Sequence, residues 1–89
     1  MTSRSDSLLT VKGIADKAQE KLQGLLRDIR ADAGVTQAEL ASRLGVPQSV
    51  ISKYESGERR LDILELRQVC KALGLGLADL VRRLEKEVP

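Results

Sequence analysis

Four polar side chains near the middle of the chain have a spacing that would place them side by side on one helix. They are Gln48, Ser49, Ser52 and Lys53, at relative positions i, i+1, i+4 and i+5. The Gln48 amide can pair with both hydrogen-bonding atoms of an adenine edge, a serine can donate or accept, and Lys53 can reach guanine or a phosphate. The strip therefore has the chemistry to read base edges; the alternative is a polar face that meets only solvent.

Apolar residues around this strip predict the elements that would hold it. Inward-facing positions recur at helical spacing on both sides of a short gap, at Leu40, Ala41, Leu44, Val50, Ile51 and Tyr54. Thr36 and Glu39 form a T-x-x-E capping box for the first of these two helices. Gly45 suits the left-handed residue that ends a helix, and Pro47 suits the start of the next. The segment 37–56 is thus predicted to be two short helices joined by a tight turn.

The rest of the chain is predicted to supply three more helices. Apolar residues at helical spacing predict a long first helix from Ile14 to Ala33, and Asp62 can cap a fourth helix that ends at Gly74. A fifth helix is expected from about Leu77 to Val88. Apolar residues make up 42% of the chain but aromatic residues only 1%, which favours an all-α bundle with an aliphatic core. We expect one domain, residues 14–88, after a flexible N-terminal arm, residues 1–13.

Composition argues against several classes of function. The net charge of +2 comes from 15 basic and 13 acidic residues, so the total charge alone does not indicate that the protein binds nucleic acid. There is no histidine and one cysteine, and no glycine-rich phosphate loop follows a strand pattern, so we expect no enzyme activity, no cofactor and no metal site. No apolar run is long enough to span a membrane and no signal peptide is recognisable, so we expect a cytoplasmic protein.

The pattern of small, glycine and apolar residues resembles the helix-turn-helix of the Cro/C1-type (XRE) family of transcriptional regulators. Seven positions carry the resemblance: Leu40, Ala41, Leu44, Gly45, Val46, Ile51 and Tyr54. With its flanks, it extends from about Leu22 to Leu84. It implies a compact five-helix bundle of the lambda-repressor type, here with an extended first helix, in a prokaryotic protein. It also implies a sequence-specific regulator of transcription, with repression favoured, whose third helix enters the major groove of double-stranded DNA.

The resemblance also implies roles for charged and polar residues around that helix. Candidate contacts to DNA phosphates are Gln37, Arg30, Arg43, Arg59 and Arg60. A structural ion pair between Arg30 and Glu55 is implied as well. It would compensate the negative charge of the Glu55 carboxylate and leave other N–H donors of Arg30 for a phosphate. A solvated surface is the alternative for Arg43, Arg59 and Arg60.

One helix-turn-helix reads few bases, so we expect a homodimer on a partly palindromic operator. The predicted interface is on the fifth helix, at Leu77, Leu80, Val81, Leu84 and Val88; the extended first helix is a second candidate. RNA polymerase would be occluded or recruited, and no small-molecule effector is expected. An antitoxin that binds a cognate toxin, and a controller of a restriction–modification system, remain open as alternatives.

Overall fold

Five α-helices form the whole regular structure of residues 12–88, the part of the chain that the computed structural model describes. They are α1 (Lys12–Asp32), α2 (Gln37–Leu44), α3 (Gln48–Ser56), α4 (Ile63–Ala72) and α5 (Leu77–Glu87). The predicted all-α fold is confirmed. Residues 1–11 of the predicted arm lie outside the described residues, whereas Lys12 and Gly13 already belong to α1. The first helix thus begins two residues before the predicted Ile14, a shift within the usual variation of helix ends.

Local sequence signals fix both ends of α2, the first helix of the motif. Thr36 Oγ1 accepts a hydrogen bond from the Glu39 amide, and Glu39 Oε1 accepts one from the Thr36 amide, each at 3.0 Å. These two bonds satisfy amide groups that the first turn of α2 leaves without helical partners. At the other end, Gly45 has φ 69°, a left-handed conformation that glycine adopts without a Cβ clash. The turn that leads into α3 is therefore defined by the sequence itself.

The core takes at least one almost fully buried side chain from every helix. In chain order, the residues exposed by 2% or less are Leu26, Leu40, Ile51, Tyr54, Val69, Cys70 and Leu80. Their mostly aliphatic character agrees with the composition, because Tyr54 is the single aromatic residue. Burial of Leu80 shows that the inner side of α5 belongs to the core of the subunit.

Packing between helices leaves one side of α3 uncovered. Helix α3 lies against α2 and α1, while α4 packs on α2 and α5, and α5 also packs on α1. The side of α3 that turns away from these neighbours is the side that carries the polar strip. Within residues 12–88 no helix is long and apolar enough to cross a membrane.

Candidate nucleic-acid interface

The polar strip of α3 faces outward along its whole length. Gln48, Ser49, Ser52 and Lys53 are all exposed, whereas Ile51 on the opposite side is fully buried. Pro47 stands before the helix in extended backbone, and no side chain caps the first amide groups of α3. The four predicted base-reading residues are thus brought together on a helix that is fixed from behind by the core.

A line of hydrogen bonds connects α1, α2 and α3 at the edge of this strip. Arg30 donates from Nε to Glu55 Oε2 at 2.6 Å and from Nη2 to Glu55 Oε1 at 2.9 Å. Gln37 Nε2 donates to the same Glu55 Oε1 at 3.0 Å, and Gln48 Nε2 donates to Gln37 Oε1 at 3.4 Å. The ion pair implied by the family resemblance is therefore present, and it continues through Gln37 to the first residue of the strip.

The charge of Glu55 is compensated within the protein. Burial opposes ionisation of this carboxyl group, which is 6% exposed, but the hydrogen bonds from Arg30 and Gln37 outweigh burial and hold its pKa below the ordinary value. The hydrogen bond to Glu55 in turn raises the pKa of Arg30. Arg30 Nη1 also donates to the Val35 carbonyl at 2.9 Å, which ties the guanidinium to the loop before α2. The carboxylate therefore adds little net negative charge to the surface near α3.

The remaining basic candidates lie in two other places. The backbone amide of Arg59 donates to the Lys53 carbonyl at 3.2 Å, so Arg59 and the exposed Arg60 follow the C-terminal end of α3. The Arg59 side chain forms an ion pair with Glu65 at 2.6 Å. The Arg43 guanidinium donates to the Ala72 carbonyl at 2.8 Å, at the end of α4. The structure thus groups Arg30 and Gln37 with the strip, puts Arg59 and Arg60 at its far end, and uses Arg43 to join α2 to α4.

The interface prediction for α5 needs one correction. Leu80 is 1% exposed and lies in the subunit's own core, so it has no surface to offer to another chain. Leu77 packs against the same core, Leu84 and Val88 are half-buried, and Val81 remains 42% exposed. The prediction assigned the whole apolar stripe of α5 to an interface, but part of that stripe packs against the core of the same subunit.

Sequence reasoning also missed an exposed apolar pair at the start of α4. Ile63 and Leu64 are 60% and 70% exposed, although apolar residues at helical spacing predict an inward face for this helix. A helical projection would have placed Leu64 on the outer face of α4, because it lies about 160° around the helix from the buried Leu66. Ile63 is harder to predict, because it fits the inward spacing but lies in the first turn, beyond the edge of the core.

This geometry defines a helix-turn-helix protein whose second motif helix, α3, has an exposed polar strip. The Helix-turn-helix family matches residues 26–80. An uncharacterized HTH-type transcriptional regulator of Sinorhizobium fredii is 34% identical over 53 residues, 60% of this chain and 69% of the relative.

Solved structures agree with these sequence matches. An XRE-family-like protein from Pseudomonas syringae pv. tomato is similar with a TM-score of 0.84 and 42% identity, over 90% of this chain and 98% of that chain. A restriction–modification controller protein, solved as a tetramer with its natural 35-base-pair operator, has a TM-score of 0.73 and 28% identity, over 80% and 93%. The chain belongs to the XRE-type helix-turn-helix family of DNA-binding transcriptional regulators.

Proposed function

We propose that this chain binds a specific double-stranded DNA operator as a homodimer and represses transcription, with α3 of each copy in the major groove. The observation that supports this most directly is the hydrogen-bonded line from Arg30 through Glu55 and Gln37 to Gln48. It gives the side chain of Gln48, the first residue of the strip, a partner within the protein before DNA arrives, through an exposed hydrogen bond of 3.4 Å to Gln37. Less side-chain freedom is then lost on binding, which favours both affinity and discrimination between bases.

The hydrogen-bonding capacity of Gln48 suits adenine. One of its two amide N–H groups points to Gln37, which leaves the other N–H and the carbonyl oxygen. These two groups match N7 and the N6 amino group of adenine in the major groove. Ser49, Ser52 and Lys53 would read neighbouring bases, and Lys53 could instead reach a phosphate.

Phosphate contacts are proposed on both sides of the strip. Gln37 is the first residue of α2, and the N-terminus of a helix favours an anion. Arg30 uses three of its five N–H donors within the protein, so donors remain for a phosphate near Gln37. Arg59 and Arg60 would contact the backbone beyond the C-terminal end of α3. Arg43 would contact phosphate only by giving up its bond to the Ala72 carbonyl.

Two copies would place two α3 helices on one face of the duplex, about 34 Å apart, which is one turn of B-DNA. The solved controller protein assembles as a tetramer on its operator, which supports a multimeric arrangement for this chain as well. Val81 and Leu84 of α5, together with Val88 just after it, retain exposed or half-buried apolar surface and are one candidate contact between copies. Repression would follow if the bound dimer blocked RNA polymerase.

Control of a restriction–modification system is a second candidate function, favoured by the structural likeness to the controller protein. Both candidates need the same DNA-binding surface and differ in which genes lie beside the operator. Mapping the bound sites on the source genome separates them. Sites beside restriction and modification genes would support the controller, and sites elsewhere would support a regulator of other genes.

Substitution of Gln48 by alanine tests the proposed reading surface. We expect specific binding to weaken by about 1–3 kcal/mol and one base position to become tolerant, while binding to unrelated DNA is unchanged. Affinities for a set of single-base operator variants measure both effects, with Gln19→Ala on α1 as a control that removes an amide outside the strip. An unaltered base preference in Gln48→Ala would refute the assignment.

A further inference from the structure

An apolar cleft lies between α3 and α4. Helix α3 is held from behind by α1 and α2, whereas α4 packs on α2 and α5. The cleft between them has a volume of about 180 Å³. Its apolar walls come from the end of α2, the turn of the motif, α3, and the α4 side, and they include Leu44, Val46, Val50, Leu61 and Val69. The inner side of α3 therefore faces a space that α4 leaves open.

Tyr54 brings a polar group without a partner to this cleft. The residue is 2% exposed and lines the cleft, and among residues 12–88 its hydroxyl takes part in no hydrogen bond. In the same part of the chain, every fully buried side-chain nitrogen or oxygen atom has a partner, so the Tyr54 hydroxyl must reach accessible space. The cleft is the accessible space that Tyr54 lines. A hydroxyl group can both donate and accept, so a molecule in the cleft could use it in either way.

The charges at the cleft compensate each other. Arg59 and Glu65 both line it, and they form an ion pair at 2.6 Å with 39% and 38% of their side chains exposed. Burial raises the pKa of Tyr54, so its hydroxyl is neutral at ordinary pH. A charged ligand would lose its water in the cleft without meeting an uncompensated opposite charge. The cleft therefore favours an uncharged ligand.

The volume of the cleft suits a single ring. An apolar cavity of about 150 Å³ in a protein stays free of water and binds benzene. Sites for drug-sized ligands are larger, about 300–1,000 Å³. A volume of about 180 Å³ therefore accommodates one six-membered ring with one small substituent.

We propose that this cleft binds a small uncharged ring compound that carries one hydrogen-bonding group. The ring lies against Val46, Val50 and Val69, and its polar group meets the Tyr54 hydroxyl. The compound fills the space that α4 leaves open and supports α3 from that side. The chain thus has a binding site for a small molecule next to its DNA-reading helix, contrary to the expectation from the sequence that it has no effector.

Titration of the full chain with phenol, benzene and benzoate tests the proposal. The three probes share one ring and differ in their substituent: a hydroxyl, none, and a charged carboxylate. Nuclear magnetic resonance of the methyl groups reports where each probe binds. We expect phenol to cause saturable shifts at Val46, Val50 and Val69 with a dissociation constant on the order of 1 mM, a value typical of so small a ligand.

The order of affinity distinguishes this site from unspecific apolar binding. Benzene should bind the same methyl groups several-fold more weakly than phenol, because it leaves the Tyr54 hydroxyl without a partner. Benzoate should bind roughly tenfold more weakly than phenol or worse, because its charge is not compensated. Shifts that do not saturate, shifts outside the cleft, or tightest binding of benzoate would overturn the proposal.

Tyr54→Phe tests the role of the hydroxyl. This hydroxyl has no partner within residues 12–88, so its removal leaves no other group unpaired and the variant is expected to stay folded, which circular dichroism checks. We expect phenol to bind roughly threefold to tenfold more weakly, the effect of one hydrogen bond, and benzene to bind as before. An equal change for both probes, or no change for phenol, would refute the contact with Tyr54.

Two tryptophan substitutions on α4 test the position of the site. Gln68 is exposed and lines the cleft, so Gln68→Trp puts a large ring over it. Arg67 is the preceding residue, is also exposed and does not line the cleft, so Arg67→Trp is the matched control. We expect Gln68→Trp to weaken phenol binding by roughly tenfold and Arg67→Trp to leave it unchanged. Equal affinities in the two variants would place the phenol site elsewhere and overturn the proposal.

Failure of this site can be told apart from failure of the proposed function. Probe binding is measured without DNA, whereas sequence preference is measured by selection from a random DNA pool. A retained preference without phenol binding in the cleft refutes the ligand site alone. Absence of any preference refutes the proposed function, whatever the cleft binds.

Discussion

Replacement of Glu55 by glutamine should destabilise the protein strongly, because it removes the charge at the centre of the hydrogen-bonded line. The substitution keeps the shape of the side chain but puts an amide NH₂ where a carboxylate oxygen accepts from Arg30. Glu55 has 4% and Arg30 13% of the side chain exposed, so the arginine would lose its anion in a largely buried place. Loss of one partner from a buried ion pair lowers the free energy of unfolding by about 3–5 kcal/mol. We expect about 3 kcal/mol, because Arg30 remains partly exposed to water and keeps its hydrogen bond to the Val35 carbonyl.

Urea unfolding followed by far-ultraviolet circular dichroism measures this loss. With a slope of about 1–1.5 kcal/mol per molar urea for a small domain, 3 kcal/mol lowers the midpoint by about 2–3 M. Glu39→Gln is the matched control: Glu39 is exposed, and a capping box accepts glutamine in place of glutamate. A loss below about 1 kcal/mol in Glu55→Gln, the size of an exposed ion pair, would refute the central role of Glu55.

The same comparison has a defined pH dependence. The pKa of Glu55 is lowered in the folded state from an ordinary value of 4.5, so the folded protein releases this proton more readily than the unfolded chain does. The stabilisation is then fully present above about pH 4.5 and is lost as the pH falls through the lowered folded pKa. The difference in unfolding free energy between wild type and Glu55→Gln should therefore shrink in acid. A constant difference from neutral pH to strong acid would contradict this account.

Two further substitutions test separate parts of the structure. Arg59→Ala should weaken binding evenly across DNA sequences and reduce the slope of log affinity against log salt by about one phosphate contact; an unchanged slope removes Arg59 from the DNA surface. Leu80→Ala should lower the free energy of unfolding by about 2–5 kcal/mol, because it opens a cavity in the core. A loss near zero, measured by urea unfolding, would contradict the burial of Leu80 in the subunit's own core.

Features encoded by short-range sequence were predictable. Thr36, Glu39 and Gly45 set the ends of α2 through bonds and backbone angles that involve residues at most a few positions apart. The outward position of Gln48 and Lys53 likewise follows from helical spacing once the inward face is identified. For this reason the motif and its exposed strip could be placed before the structure was known.

Features that depend on long-range packing were not predictable from spacing. Arg30 and Glu55 are separated by 25 positions, and only the family resemblance linked them. Nothing in the local sequence indicates that Gln37 bonds to Gln48 or that Arg43 bonds to the end of α4. Leu80 was misplaced because periodicity shows that a helix has an apolar stripe but does not show which part of it the protein's own core covers.

Selection of bound sequences from a random pool of double-stranded DNA is the most direct test of the account. It addresses the claim on which everything else depends, that α3 presents a fixed strip able to distinguish base pairs. We predict enrichment of a partly palindromic site whose two half-sites are about 10 base pairs apart, with an adenine whose identity depends on Gln48. Recovery of a pool no different from the starting DNA would contradict the account.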